Sequence, residues 1–125
     1  IGSGNDHKVR LAKIIRGDNK EITGMEIIEG TEIEVVGAVT CHISPDGNFA
    51  IIGSNKDRKA RLAKIIRGEN KEISGMEIIK GTEIELGGWV SSCHISPDGN
   101  FAIIGSGNDQ KVRLAKIKRL LVLNN

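Results

Sequence analysis

Cys41-His42 and Cys93-His94 are the residues of this chain best equipped for metal chemistry. A thiolate beside an imidazole is a good soft-metal donor set. The spacing argues against that use. Adjacent residues of a strand point to opposite faces, so one pair does not chelate, and no second pair lies at zinc-like spacing. The reading is a small buried Cys and a packed His, with reduced thiols, no metal and no cofactor. Arg16-Gly17-Asp18 spells an integrin-type tripeptide, but Arg67-Gly68-Glu69 occupies the matching place. A slot that takes either acid reads as a polar hairpin turn. Gly2-Ser3-Gly4 and Gly105-Ser106-Gly107 lack the spacing of phosphate loops. Glu32 and Glu34, with Glu83 and Glu85, alternate onto a solvent face, where charge keeps a strand edge soluble. No Ser, His and Asp stand in an order that nominates a nucleophile or base. The expectation is therefore a non-catalytic protein.

Those pairs sit inside a repeat. Cys41 to Ser54 recurs unchanged at Cys93 to Ser106, an offset of 52 residues. Arg10 to Glu34 matches Arg61 to Glu85 at an offset of 51, with changes at Asp18/Glu69, Thr23/Ser74 and Glu29/Lys80. Ser92 is the extra residue between the two offsets. Such a period marks stacked units, which build a surface before they build an active site. The chain holds two periods and part of another, and begins and stops inside a unit. A fragment of a longer chain, a processed product, a designed repeat or an assembling subunit all fit that layout.

Within a unit the signals are short strands between turns. Cys41-His42-Ile43-Ser44 leads into Pro45-Asp46-Gly47-Asn48, where Pro fixes φ and Asp-Gly suits a tight reversal. Phe49-Ala50-Ile51-Ile52 follows, then the turn Gly53 to Asp57. Lys59 to Ile66 alternates, with Ala60 and Leu62 on one side and Ala63 and Ile65 on the other. Helix competes for Arg61 to Arg67, but short length, flanking glycines and paired Ile favour strand. Ile73 to Ile79 makes a fourth strand, and Thr82 to Leu86 alternates again.

Ser-Pro-Asp-Gly, Gly-Ser and Val-Arg-Leu in this order resemble a WD40-type β-propeller repeat. The matching residues are Ile95 to Gly99, Gly105-Ser106 and Val112-Arg113-Leu114, with Ile43 to Gly47, Gly53-Ser54 and Ala60-Arg61-Leu62 in the earlier copy. Where the family carries Trp-Asp, this chain has Ala12-Lys13, Ala63-Lys64 and Ala115-Lys116. Where the family carries Gly-His, it has Gly37-Ala38 and Gly88-Trp89. The usual Asp-His-Ser/Thr-Trp network is thus absent, and each unit exceeds the typical ~40–45 residues. The resemblance implies an all-β fold of blades of about four antiparallel strands. Residues 1–36 would form a partial blade, 37–87 a blade and 88–125 a further one. A propeller closes with ~4–8 blades, so further blades or a homo-oligomer are expected.

The resemblance also implies a scaffold that binds protein partners. Trp89, Lys80 and Glu29 are the candidate contacts, because they break the repeat. Trp89 adds either a large anchor or a ring packed between blades, and Glu29/Lys80 reverses a charge. One alternative is a propeller with a small-ligand or glycan site per repeat. Scarce aromatics, one Trp and two Phe, weigh against sugar stacking. Another alternative is a purely structural repeat that assembles with itself. With 18 basic and 16 acidic residues interspersed, the chain offers no footprint for nucleic acid and no polybasic stretch for a membrane. Two cysteines at equivalent positions and no glycosylation sequon lean towards the cytoplasm.

Overall fold

The computed structural model describes residues 1–37 and 39–118. All its regular elements are strands. In chain order they are β1 (Gly2–Ser3), β2 (Lys8–Val9), β3 (Ala12–Arg16), β4 (Ile22–Ile27), β5 (Ile33–Glu34), β6 (Val39–Ile43), β7 (Phe49–Ser54), β8 (Lys59–Arg67), β9 (Ile73–Ile78), β10 (Ile84–Glu85), β11 (Val90–Ile95), β12 (Phe101–Ser106) and β13 (Lys111–Lys116). Strands β6 to β9 form one antiparallel meander, the second unit. Strands β11 to β13 form the third. The first unit is built from β1 to β5, with no counterpart of β6.

The β6–β7 and β11–β12 hairpins are fixed by short polar side chains. Ser44 Oγ donates to Asp46 Oδ1 at 2.6 Å and accepts from the N–H of Phe49 at 3.1 Å. Gly47 takes φ +75°, which the turn requires and a side chain resists. Ser96, Asp98 and Gly99 repeat this geometry. Arg16-Gly17-Asp18 lies in the β3–β4 turn. There Arg16 donates to the carbonyl of Lys20 at 3.1 Å, so its guanidinium is committed to its own turn.

The extra length of each unit lies on the outer edge of its sheet. Strand β8 is nine residues long. It pairs with β9 along one half and with β10 along the other. Thr82 joins the two: its Oγ accepts from Leu62 N–H at 3.0 Å and donates to Ile79 O at 2.7 Å. Thr31 does the same between Leu11 and Ile28 in the first unit. A threonine hydroxyl thus replaces the ladder bond where the outer strand breaks, and it satisfies the Leu62 and Leu11 N–H groups there.

The core lies between units rather than within one. Alternation along β7 and β8 sends Ile52, Ala63 and Ile65 towards the first unit, against Val9, Ile33 and Val35. The intervening residues Phe49, Ile51 and Ala60 face the third unit, against Val90, Cys93 and Ile104. Every residue of β7 is buried, because that strand is covered on both sides.

Gly53 marks a close approach between the second and third units. A Cβ there would lie 2.4 Å from Val90 Cγ1 and 2.9 Å from Thr40 Cγ2, whereas one at Gly75 meets only Gly30 O at 3.6 Å and Ile66 Cδ1 at 3.7 Å. Gly53→Ala is predicted to cost ~1–3 kcal/mol by overpacking. Gly75→Ala should be neutral or stabilising by up to about 1 kcal/mol, through the unfolded chain. Urea denaturation of both variants checks the contrast. Equal effects would contradict a tight unit-to-unit seam at Gly53.

Candidate functional site

One end of each unit carries a built polar arrangement that sequence reasoning missed. In the turns before β2, β8 and β13, Asp6, Asp57 and Asp109 each accept from the backbone N–H two residues on, at 3.2, 3.1 and 3.3 Å. Such side-chain turns let His7, Arg58 and Gln110 adopt positive φ. The second carboxylate oxygen takes an arginine four residues on. Arg10 meets Asp6 at 2.7 Å, Arg113 meets Asp109 at 2.9 Å, and Arg61 pairs with Asp57. Ser106 also donates to Asp109, and Arg113 donates to Ser106 Oγ at 3.2 Å. The signal was present as three Asp-x-x-x-Arg spacings at matching places.

These carboxylates are held ionised. The Ser3 hydroxyl and then Arg10 draw Asp6 down to about 2. Ser106 and then Arg113 draw Asp109 down to about 2. At Asp57 burial pushes upward, but bonds from Arg61 and Ser54 outweigh it and the net direction is down. A carboxylate so low is a poor proton shuttle at neutral pH. The arrangement does positional work, bracing the turn that precedes each third strand.

The two histidines meet across a seam. His42 and His94 stack with centroids 4.4 Å apart and planes tilted by 43°. His42 Nδ1 accepts from the Ile95 N–H at 3.1 Å, so that nitrogen carries no proton. Burial, and then the neighbouring His94, lower the pKa of His42. The cysteines differ despite identical local sequence. Cys93 is buried, and burial pushes its thiol up to about 11. Cys41 is only half-buried, which corrects the expectation that both are sequestered. Cys41 faces the first unit, which has no inner strand to cover it. Among the described residues no group of three His, Cys, Asp or Glu is placed to hold a metal.

The three repeat-breaking residues do not converge. Trp89 sits just before β11 and is 43% exposed. Its indole lies against Gly107, where an added Cβ would come within 2.0 Å of the ring. Its carbonyl accepts from the Gly107 N–H at 2.9 Å. Ser91 is bulged out of the β11–β12 ladder beside it. That bulge is the structural form of the inserted residue and turns the strand start outward. The matching position, Ala38, lies outside the described residues. Lys80 is exposed and lines a groove with Ile84, Ala115 and Ile117. Glu29 is exposed in a separate cleft with Lys13 and Arg67. Two members of the acidic edge are ion-paired: Glu32 lies 3.5 Å from Lys8, and Glu83 lies 3.9 Å from Lys59.

Comparison with known proteins agrees with this architecture. Residues 81–115 match the family model "WD domain, G-beta repeat". The match runs from the outer edge of the second unit through all three strands of the third. No curated protein matches the chain. Among solved structures, it is similar to Kuenenia stuttgartiensis hydrazine synthase at 23% identity and a TM-score of 0.52. The likeness covers 78% of this chain and 24% of that one, so the chain spans about a quarter of its length. At that identity the likeness shows the fold alone. The units are WD40-like β-propeller blades. The WD40-type repeat is a scaffold for protein interaction in general.

Two measurements check the seam chemistry. His42 is neutral in the folded state and has a lowered pKa, so the unfolded chain protonates first as pH falls. Its contribution is complete above about 6.5 and is lost as pH drops through its lowered folded value. Urea unfolding at falling pH should therefore show a loss of stability that shrinks in His42→Gln, which keeps an acceptor but does not titrate. An identical acid response in the variant would contradict it. In thiol titration of the native protein, Cys41 should label first and Cys93 only on unfolding. Fast labelling of Cys93 would remove it from the seam.

Proposed function

We propose that this chain is a non-catalytic scaffold segment of a β-propeller, and that it binds a protein partner at the blade end carrying Trp89. The carrying observation is the exposed indole held against Gly107. Trp89 is the chain's one tryptophan, and the groove made by a glycine backbone limits its freedom before any partner arrives. A large aromatic already fixed in place loses little entropy on binding, which is what a contact anchor requires. The bulge at Ser91 and the close approach of Gly88 to Asn108 help hold the loop that presents it. The non-catalytic reading is supported by the blade-end carboxylates, which are tied to arginine and kept far from neutral titration. Lys80 and Glu29 lie in other clefts and act, on this reading, as charge selectors at the rim rather than as part of the anchor.

The test is Trp89→Ala. The variant should keep a β-type circular dichroism spectrum and melt within a few degrees of the parent. It should lose at least about tenfold in affinity for a partner captured by the parent, since an anchor of this kind contributes upwards of ~1.4 kcal/mol. Unchanged affinity with a large fall in melting temperature would make Trp89 a packing residue and move the interface elsewhere.

A further inference from the structure

The blades differ little in sequence, so a change of charge confined to one of them stands out. In the turn before each third strand, the residues on either side of the aspartate are Asn5 and His7 in the first blade and Asn108 and Gln110 in the third. The middle blade alone has Lys56 and Arg58 there. Both are exposed. The turn does not require an arginine, because His7, Arg58 and Gln110 take nearly the same positive φ, 58°, 60° and 55°. Among the described residues the cations of the ion pairs are Lys8, Arg10, Lys59, Arg61, Lys64 and Arg113, and neither Lys56 nor Arg58. Asp57 between them is already held by Arg61 and the Ser54 hydroxyl.

The fold places this turn beside Trp89. Residues 86–90 cross from the outer edge of the middle blade to the inner strand of the third. At one end the Leu86 N–H donates to the Arg58 carbonyl at 2.8 Å. At the other, Val90 packs on Gly53, where the chain enters the same turn. The crossing segment is thus fastened to both ends of the turn that carries the two cations. Gly87 and Gly88 press it against Asp109 and Asn108 of the third blade. Trp89 is three residues from Leu86, within about 11 Å of it, so an extended segment of roughly five residues reaches from the indole to Arg58. Both blades that frame this surface lie within the structure.

We infer that the partner engaged at Trp89 is an acidic segment of a protein, with an apolar side chain on the indole and carboxylates facing Lys56 and Arg58. The inference rests on the proposed Trp89 site and adds the chemistry of what it binds. Two unpaired cations beside an aromatic anchor complement such a segment and repel a basic one. The exposed Glu85, opposite Lys59 in the ladder, bounds the positive patch on its outer side. A nucleic-acid strand carries a charge at every phosphate and calls for a longer line of cations than these two.

The repeat supplies its own control. Lys56→Asn with Arg58→Gln gives the middle turn the residues that the third blade carries in the same turn. A random peptide library selected on the immobilised parent should enrich acidic sequences that contain an apolar residue. Affinity for an enriched peptide, read by fluorescence anisotropy at low salt, should fall roughly tenfold in the double variant. High salt should weaken the parent far more than the double variant, because screening removes only the charged part of the contact. Enrichment of neutral or basic sequences, or no enrichment, would overturn the inference. So would a double variant that binds the acidic peptide as the parent does, or displacement of that peptide by an oligothymidylate. Trp89→Ala separates the two readings. Loss of binding there with none in the double variant would leave the Trp89 site standing and remove its preference for acid. Loss in the double variant alone would keep that preference and overturn the Trp89 anchor.

Discussion

A blade of this protein cannot satisfy itself. Its sheet alternates apolar side chains to both faces, so each blade needs an apolar neighbour on either side. The middle blade has both, and there β7 is buried throughout. The outer blades have one each, and their uncovered faces carry the large exposed apolar residues, from Ile14 and Met25 at one end to Val112 and Leu114 at the other. The polar details serve this stacking. Ser-Asp turns fix the hairpins, Thr31 and Thr82 splice the outer edge, and Gly53 lets Val90 approach its strand.

The Asp–Arg pairs brace the same turn in each of the three blades. The turn before the third strand still needs its carboxylate oriented and its backbone N–H groups satisfied. An arginine four residues on supplies the charge-assisted bond, and Ser106 adds a hydroxyl in the third blade. A planar guanidinium holds a carboxylate with more geometric definition than a lone hydroxyl can.

Much of this was legible in the sequence, for physical reasons that can be named. Alternation in Lys59–Arg67 put Ala60 and Leu62 on one face and Ala63 and Ile65 on the other, and those faces meet different neighbours. Ser-Pro-Asp-Gly announced its hairpins because each residue constrains one torsion or satisfies one bond. The extra residue near Ser92 surfaced as a bulge. Other features depend on who lies across a seam, which local sequence does not encode. Cys41 and Cys93 share a sequence context yet differ in burial, because only one has a complete inner strand over it. The His42–His94 contact joins residues 52 positions apart across such a seam. The Asp–Arg spacing was readable, but a spacing of four in a turn does not by itself say that the carboxylate also caps the backbone N–H two residues on. Trp89, Lys80 and Glu29 were marked by their departure from the repeat, which identifies difference but not proximity.

Stability resides between blades, where both buried apolar clusters lie. Native-state hydrogen exchange measures it residue by residue. The amides of β7, enclosed by neighbours of the same chain on both sides, should exchange slowest at any protein concentration, and those of β4, on an end face, markedly faster in dilute solution. Amides of β7 that exchange as fast as those of β4 would contradict the account.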